Sequence, residues 1–418
     1  MSRKPITWTT GATLEEHSKR KHKVVGEYIA RYLAVRCQFP QQSRFRLAIV
    51  DGFAGGGRYK CGSPGSPLIF LDELKKATEA FNIRRTAEGM SPIDIECLLV
   101  LNDYDRATVA MLKENAEPLI ANIKQNVPRL HLHVEYREKK FEEAYPEIKE
   151  LIDKGNYQNV LFNLDQCGTA KVDIETISDI TSSYLSAEIF YTFGIETLVS
   201  FLNQSDPNAL AKQLNPFGVS AAQLAELDGL MSKQEWLGAA ERIVFNAFRS
   251  CADYVSPFSI HNPQGWRYWL IHFANNVRAR QEYNNILHQN SSSQAHFGRS
   301  GLHMLAYDPS ETDSMLYVFD EVGRVEAKKQ LHDDIPRLIT NYGDAIGVGD
   351  FYASIYNATP AHMLDINSAI IENPDLEVIT EDGGERRKAN TIKIGDTLRM
   401  RNQRSFFPLF FGAGKEKK

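Results

Sequence analysis

Residues 47–59 read LAIVDGFAGGGRY, and this stretch decides how the rest of the chain is interpreted. The apolar run predicts a buried strand, and an aspartate follows it at the start of a glycine-rich turn. Because glycine has no Cβ, such a turn lets the backbone approach a bound nucleoside closely. We therefore predict that a nucleoside-bearing cofactor contacts five residues here: Asp51, Gly52, Phe53, Gly55 and Gly57. A purely structural turn is the alternative.

The spacing of this turn favours S-adenosylmethionine over a dinucleotide. The dinucleotide fingerprint G-x-G-x-x-G opens a helix at once, because its pyrophosphate binds at the helix N-terminus. Residues 51–57 follow a different pattern, D-x-F-x-G-x-G. S-adenosylmethionine carries no phosphate, so we expect a methyltransferase-type loop at this point of the chain.

A second candidate strand ends in acidic residues, within 98–105, LLVLNDYD. A carboxylate at a strand end can accept hydrogen bonds from both ribose hydroxyls of an adenosine. We assign this role to Asp103, with Tyr104 beside it. Asp105 is instead well placed to cap the helix that follows.

Two further strand ends carry candidate residues. Phe141 follows the third strand, where it is predicted to pack on the adenine ring, with a place in the core as the alternative. The fourth strand ends at 162–168, FNLDQCG, and Asp165 stands where amino-methyltransferases present Asp/Asn-Pro-Pro-aromatic. We predict that Asp165 orients the acceptor; a structural aspartate is the alternative. Cys167 is either a nucleophile or an inert buried thiol.

The order of elements predicts an α/β fold. Five short apolar segments alternate with helical patterns up to about residue 193, which is typical of a parallel sheet with helices on both faces. A helical insertion is expected near residues 205–256. We therefore predict a Rossmann-like sheet of the class I methyltransferase type over residues 1–316.

Residues 317–418 differ in character. The elements follow the order of a winged helix-turn-helix: two helical segments, a third helix after Thr359 and Pro360, and two strands, at 376–380 and 391–394, around the turn 382–384. We expect a winged-helix-like α+β domain here. Its basic C-terminal ribbon predicts phosphate contacts from Arg386, Arg387 and Lys388.

Charge is distributed unevenly along the chain. The net charge is −5, but residues 1–60 hold 12 Lys and Arg against 4 Asp and Glu, and residues 385–418 hold 10 against 3. The segment between them therefore carries a net charge of −20. Two basic ends around an acidic middle are consistent with a nucleic-acid partner, which the sum of −5 alone would argue against.

Other features of the composition define the protein class. The five cysteines are scattered without a C-x-x-C pair, which indicates reduced thiols. No secretory signal and no apolar run of membrane-spanning length is visible, so we expect a cytoplasmic protein with no membrane contact. The histidines show no H-x-x-x-H pair, and we predict no metal.

The first helical segment, residues 14–35, has a basic N-terminal half. Lys19 and Lys21 are predicted to contact nucleic acid, as is Arg58 after the glycine-rich turn. His22 is predicted either to contact a phosphate or to shuttle a proton at the mouth of the site. A solvated charged face is the alternative for His22.

Three segments together resemble the three-Cys-motif partner protein family (TcmP), found in bacterial and phage genomes. The pattern H-x-K-x-K-H is matched by His17, Lys19, Lys21 and His22. D-G-F-A-G-x-G-R-Y is matched at 51–59, and G-x-P-G-S-P-L at 62–68. The family is similar to class I methyltransferases and often ends in a winged-helix-like domain. At the fourth strand relatives tend to show Asp-Pro-Phe-Gly, which this chain replaces with 165–168, DQCG.

These observations predict an S-adenosylmethionine-dependent methyltransferase-like protein that acts on nucleic acid. In this interpretation Asp165 and His22 are the catalytic residues. The alternative is a non-catalytic protein that keeps a nucleoside-binding fold as a scaffold or sensor. It would work with a co-encoded partner protein.

Overall fold

The computed structural model describes most of the chain: residues 8–166, 172–195, 198, 207–214, 233–261, 267–290, 294–296, 302 and 317–401. The chain divides into two compact units. The first unit comprises Met1–Arg299 and Leu305–Asp320, and the second comprises Ser300–Met304 and Glu321–Lys418.

The first unit alternates strands and helices. After a short 3-10 helix at Trp8–Thr10, its described elements are α1 (Glu16–Arg36), β1 (Arg44–Asp51), α2 (Ser66–Ala87), β2 (Asp94–Asn102), α3 (Arg106–Asn126), β3 (Leu130–Arg137), α4 (Phe141–Lys154), β4 (Asn159–Leu164), α5 (Ile174–Ser183), β5 (Ser186–Phe193), α6 (Pro207–Leu214), α7 (Lys233–Arg249), β6 (Tyr254–His261), β7 (Arg267–Ala274), α8 (Val277–Gln289), β8 (Gln294–His296) and β9 (Tyr317–Val318).

These strands form one nine-stranded sheet in the order β3-β2-β1-β4-β5-β7-β6-β8-β9. The first five strands are parallel, whereas β7 is antiparallel to both of its neighbours, β5 and β6. The chain moves outward from β1 to β3 and then returns to add β4 on the other side of β1. In open α/β sheets, ligands bind outside the carboxyl ends of the strands at such a switch point. A ligand site is therefore expected at the carboxyl ends of β1 and β4.

Both faces of the sheet are covered, as expected for parallel strands that are apolar on both sides. In β1, Ala48 and Val50 belong to a core cluster that includes buried residues of α4, α5 and α7. Phe45 points to the opposite face, because side chains alternate along a strand, and there it packs against Tyr32 of α1 with ring centroids 6.2 Å apart.

Helix α1 lies antiparallel to β4. Near its beginning, Lys21 forms an ion pair with Asp165, just beyond the end of β4, and at its last residue Arg36 bonds to Asn159, the first residue of β4. Fifteen helical residues and six strand residues both span about 20 Å, so the two elements match in length. The basic first half of α1 therefore reaches the carboxyl edge of the sheet.

The structure confirms the mixed α/β fold, with a mostly parallel sheet flanked by helices. The predicted helical insertion falls between β5 and β6, where the structure describes α6 and α7. Strand β6 was not predicted, and its first residues were assigned to the insertion. Pro257 lies inside this strand, and a proline within an apolar run normally argues against a strand.

The described part of the second unit holds three α-helices, a short 3-10 helix at Ala389–Thr391 and four short strands. The α-helices and strands are α9 (Glu321–Asn341), β10 (Ala345–Gly347), α10 (Val348–Ile355), α11 (Met363–Glu372), β11 (Leu376–Ile379), β12 (Glu385–Arg386) and β13 (Thr397–Met400). The strands form an antiparallel sheet in the order β10-β13-β11-β12. A strand predicted at 391–394 is wrong, because the chain bends there around Asp396, whose carboxylate accepts the Lys393 amide at 2.7 Å.

Among the described residues, no helix combines the length and the apolar character needed to cross a membrane.

Candidate functional site

The switch point of the sheet brings two polar side chains together. Asp51 at the end of β1 is the register partner of Asn163 in β4, and Asn163 Nδ2 donates to Asp51 Oδ1 at 3.2 Å. Asp51 is fully buried, and its Oδ2 atom has no hydrogen-bond partner among the described residues. Burial raises the pKa of Asp51 to about 7, although the Ser66 hydroxyl and the Asn163 amide partly oppose this shift.

The glycine-rich turn packs against the protein's own side chains. A Cβ at Gly52 would lie 2.8 Å from ring carbon Cδ2 of Phe141, and one at Gly57 would lie 2.9 Å from Cδ1 of Leu112. A Cβ at Gly56 would lie 2.8 Å from the sulfur of Met111. These approaches account for the glycines by packing, which was the alternative that the sequence left open.

Trp8 covers the middle of this turn. Gly55 has a φ of +61°, and a Cβ there would overlap the Trp8 indole, so the ring lies directly on the glycine. The Trp8 ring also approaches Tyr59, with centroids 4.9 Å apart. Anything that binds against the exposed side of the turn therefore contacts this indole.

Asp103 joins the second strand end to the same turn. Its Oδ2 accepts the Gly55 amide at 3.1 Å, and its Oδ1 accepts the Asp105 amide at 3.0 Å. Tyr104, next to it, is 66% exposed. The side chain of Asp105 accepts the Thr108 amide at 2.9 Å, and Asp105 is thus the N-cap of α3, as its position predicts.

Phe53 and Phe141 are packed together on the core side of the turn. Phe141 is only 1% exposed and belongs to the core cluster, and partly buried Phe53 packs against it with ring centroids 5.8 Å apart. The structure therefore gives Phe141 the core position that was the alternative to stacking on adenine. The Phe141 ring fills the space beside Gly52 and thus supports the turn on its core side.

A pocket opens beside Asp51, between α1 and the ends of β4 and β5. It is lined by Lys21, His22, Val25, Ser66, Ile69, Asn163, Asp165, Thr192 and Leu270. Lys21 Nζ forms an ion pair with Asp165 Oδ1, and Lys21 is only 6% exposed. Burial acts to raise the pKa of Asp165, but the Lys21 ammonium and hydrogen bonds, including one from Thr192, lower it overall. Asp165, whose side chain is 24% exposed, is therefore a partly buried anion held by a buried cation.

This arrangement corrects the prediction for Lys21. A lysine buried against a carboxylate inside a pocket is not on the exposed face that would contact nucleic acid. Lys19 is exposed and pairs with Glu16 at 3.2 Å. The two lysines are two residues apart, about 200° around a helix of 3.6 residues per turn, so they lie on different faces.

His22 is half-buried in this pocket, close to Asp165. Burial lowers its pKa to about 4, although the Asp165 charge opposes the shift. The imidazole is therefore neutral at neutral pH, which does not fit the predicted contact between a charged histidine and a phosphate. As a neutral ring it is able to accept a proton or a hydrogen bond, and the predicted role in proton transfer stays a prediction.

Sequence reasoning missed several residues of this region, namely Trp8, Tyr59, Ser66, Asn163 and Thr192. One signal was present in the sequence: Asn163 is a polar residue inside an otherwise apolar strand, and buried polar groups need partners. Trp8 and Tyr59 come from segments without helical or strand periodicity.

The predicted basic contacts are only partly exposed. Arg58 is exposed and its Nη1 donates to Gly62 O at 2.8 Å. In the second unit, Arg387 and Lys388 are exposed. Arg386 instead forms a bidentate pair with the buried Asp396, at 2.9 and 3.1 Å. The guanidinium of Arg386 is thus engaged within the protein, and its contact with phosphate stays a prediction.

Two further expectations concern Cys167 and metal ions. Cys167 lies outside the described residues, as do residues 168–171. Among the residues that the structure describes, no group of three or more His, Cys, Asp and Glu side chains is arranged to hold a metal ion.

No family model matches the chain, and no curated protein matches it significantly. The resemblance to the TcmP family therefore rests on the motifs at 17–22, 51–59 and 62–68.

Proposed function

We propose that this chain is an S-adenosylmethionine-dependent methyltransferase-like protein that acts on nucleic acid. The observation that carries the proposal is the pocket at the switch point of the sheet. There the Asp51–Asn163 pair lies beside the Lys21–Asp165 ion pair. A nucleoside site and an acceptor site need to adjoin in such an enzyme, and these two groups do.

The strand order supports the same class of protein. A dinucleotide-binding sheet has the order 3-2-1-4-5-6. Here an antiparallel β7 lies between β5 and β6, which gives 3-2-1-4-5-7-6 in the seven longer strands. This order is typical of class I methyltransferases and favours S-adenosylmethionine over a nicotinamide cofactor.

The residues present fit the cofactor in its charged and polar parts. Buried oxygens without a hydrogen-bond partner among the described residues, Asp51 Oδ2 and Asn102 Oδ1, are acceptors at the ends of β1 and β2. Asp51 would hold the amino end, and Asp103 would receive the ribose hydroxyls. When bound, S-adenosylmethionine would supply an electrophilic methyl group, which the lone pair of the acceptor would take from the sulfur.

Within the pocket, Asp165 acts by orientation. Since its pKa is lowered, it stays ionised and accepts hydrogen bonds from an amine better than it removes a proton. Lys21 fixes the carboxylate in place. The acceptor amine loses its proton once it carries the methyl group, and the neutral His22 beside Asp165 is a group that can receive it.

The test is a calorimetric titration with S-adenosylmethionine. We expect binding that Asp103→Asn weakens by tenfold or more. Asp94→Asn is the matched control, because Asp94 lies at the opposite end of the same strand and pairs with Arg129 at the surface. The proposal fails if the wild-type protein gives neither heat nor a thermal shift with the cofactor.

One observation favours the scaffold alternative. Gln166, where amino-methyltransferases have a proline, turns into the interior: its Nε2 donates to Tyr191 OH at 2.6 Å and its Oε1 accepts the Val172 amide at 3.2 Å. The residue after Asp165 thus has a structural role. Cofactor binding without transfer of labelled methyl to DNA, RNA or a co-encoded partner protein would favour this alternative.

For the second unit we propose a winged-helix-type nucleic-acid-binding module. The order α9, β10, α10, α11, β11, β13 supports it. However, α11, which would enter a groove, contains Asp365 and Glu372 and no lysine or arginine. Phosphate contact therefore depends on the exposed Arg387 and Lys388 of the ribbon.

A further inference from the structure

Three aromatic rings form a chain of contacts that ends at His22 in the wall of the pocket. Tyr59 is in the middle, with the Trp8 ring centroid 4.9 Å away and the His22 centroid 5.7 Å away. The interplanar angles are 46° and 47°. The chain of contacts runs from Gly55, which Trp8 covers, to His22, which lines the pocket with Asp165. It thus connects the glycine-rich turn with the candidate acceptor site.

The backbone that carries Tyr59 is held firmly. The Tyr59 amide donates to Ser63 O at 3.0 Å, and the Gly62 amide donates back to Tyr59 O at 2.8 Å. The Lys60 amide donates to Ala12 O at 2.9 Å, which ties this loop to the segment that follows Trp8. A ring on a fixed backbone loses little conformational entropy when a ligand stacks on it.

Tyr59 lies between two basic residues in the sequence. Arg58 and Lys60, the residues on either side of it, are both exposed. Aromatic side chains interleaved with basic ones are how proteins bind single-stranded nucleic acid, since bases stack on the rings while cations follow the backbone.

We propose that Tyr59, flanked by Trp8 and His22, is the stacking surface that positions an unpaired nucleobase over Asp165. The inference rests on the proposed function, which makes Asp165 the residue that orients the acceptor. It also supplies an aromatic ring for the acceptor site. The described end of β4 offers the acceptor only Asp165 and an inward-facing Gln166, and no ring. The planar surface comes instead from the loop after the glycine-rich turn.

The experiment measures binding of two labelled single strands of equal length by fluorescence anisotropy. One is an adenine-containing oligonucleotide, and the other carries abasic sites in place of its bases, so both have the same phosphate charge. We expect wild-type protein to prefer the strand with bases. Tyr59→Leu should weaken binding of that strand roughly 5- to 150-fold, which corresponds to stacking of about 1–3 kcal/mol per base. Tyr59→Phe, the matched control, should bind as the wild type does.

Binding of the abasic strand should be the same in all three proteins. Equal affinity of the wild-type protein for both strands would overturn the inference, and this comparison needs no variant. An equal loss for both strands in Tyr59→Leu would also overturn it, because Tyr59 would then act through the loop. Titration of the same proteins with S-adenosylmethionine separates the two proposals: base-dependent binding without cofactor binding retains the stacking surface and rejects the methyltransferase.

Discussion

At the scale of single residues, the ion pair between the buried Lys21 and the partly buried Asp165 dominates the pocket. Removing one partner of such a pair leaves an uncompensated buried charge, whereas removing both is often nearly neutral. We therefore expect Lys21→Met to lower the free energy of unfolding by about 3 kcal/mol. The double variant with Asp165→Leu should recover most of this loss. Urea unfolding of the four proteins in a double-mutant cycle measures both effects.

Lys19→Met is the control for this cycle, because Lys19 is on the same helix but its pair with Glu16 is exposed. Its cost should be below about 1 kcal/mol. The pH dependence gives a second check. Since the pKa of Asp165 is lowered in the folded protein, its contribution to stability is present above about pH 4 and is lost as the pH falls further. Equal costs for the two lysine variants would contradict the buried pair.

Asp51 has the opposite effect on stability. Its pKa is raised from 3.8 to about 7, so the folded protein binds the proton more tightly than the unfolded chain. The free energy of unfolding should therefore fall as the pH rises from about 4 to about 7, by on the order of 4 kcal/mol. Asp51→Asn should remove this fall and also weaken binding of S-adenosylmethionine. Urea unfolding between pH 4 and 8 tests the first effect, and an unchanged pH profile in the variant would refute it.

At the scale of elements, the segment around Trp8 acts as a strap over the glycine-rich turn. The Gly11 amide donates to Trp8 O at 3.0 Å, and Ala12 is buried and bonded to the Lys60 amide. Because the indole occupies the place of a Cβ at Gly55, the two residues must be energetically coupled. Side chains that meet in this way give non-additive stability changes.

We expect Gly55→Ala to destabilise the protein more than Gly62→Ala. Both glycines have positive φ, +61° and +84°, but a Cβ at Gly62 would meet nothing within 4 Å. Gly62→Ala therefore measures the backbone strain alone, roughly 1–2 kcal/mol. In a Trp8→Ala background, the cost of Gly55→Ala should fall toward that of Gly62→Ala. Denaturant unfolding measures the cycle, and additive costs would mean that the indole does not lie on the turn in solution.

The elements themselves could largely be predicted from sequence, because apolar runs such as 47–50 and 98–101 form buried parallel strands whatever surrounds them. The contacts made by residues at the ends of these strands could not be predicted. Lys21 and Asp165 are 144 positions apart, and both were chosen as site residues, but for separate roles. The glycines suggested an approach by a ligand, yet the close atoms belong to Trp8, Phe141, Met111 and Leu112. The glycine pattern indicates that some group approaches the backbone closely, but it does not identify that group.

At the scale of the whole molecule, formal charge overstates what is available to a phosphate. The C-terminal ribbon is basic in sequence, but Arg386 pairs with Asp396, Arg399 with Glu377, and Arg401 with Glu385. These pairs neutralise the ribbon from within. In the basic first helix, the charge of Lys21 is likewise neutralised by its ion pair with Asp165.

Salt dependence distinguishes cations that are paired within the protein from cations that meet nucleic acid. We expect Arg387→Ala with Lys388→Ala to lessen the slope of log affinity for duplex DNA against log salt, by roughly one unit per lost phosphate contact. Arg399→Ala with Arg401→Ala removes the same charge from ion pairs and should leave the slope nearly unchanged. Arg386→Ala should lower stability instead, because Asp396 stays buried. If the two double variants shift the slope equally, binding follows net charge, and the ribbon has no particular role in it.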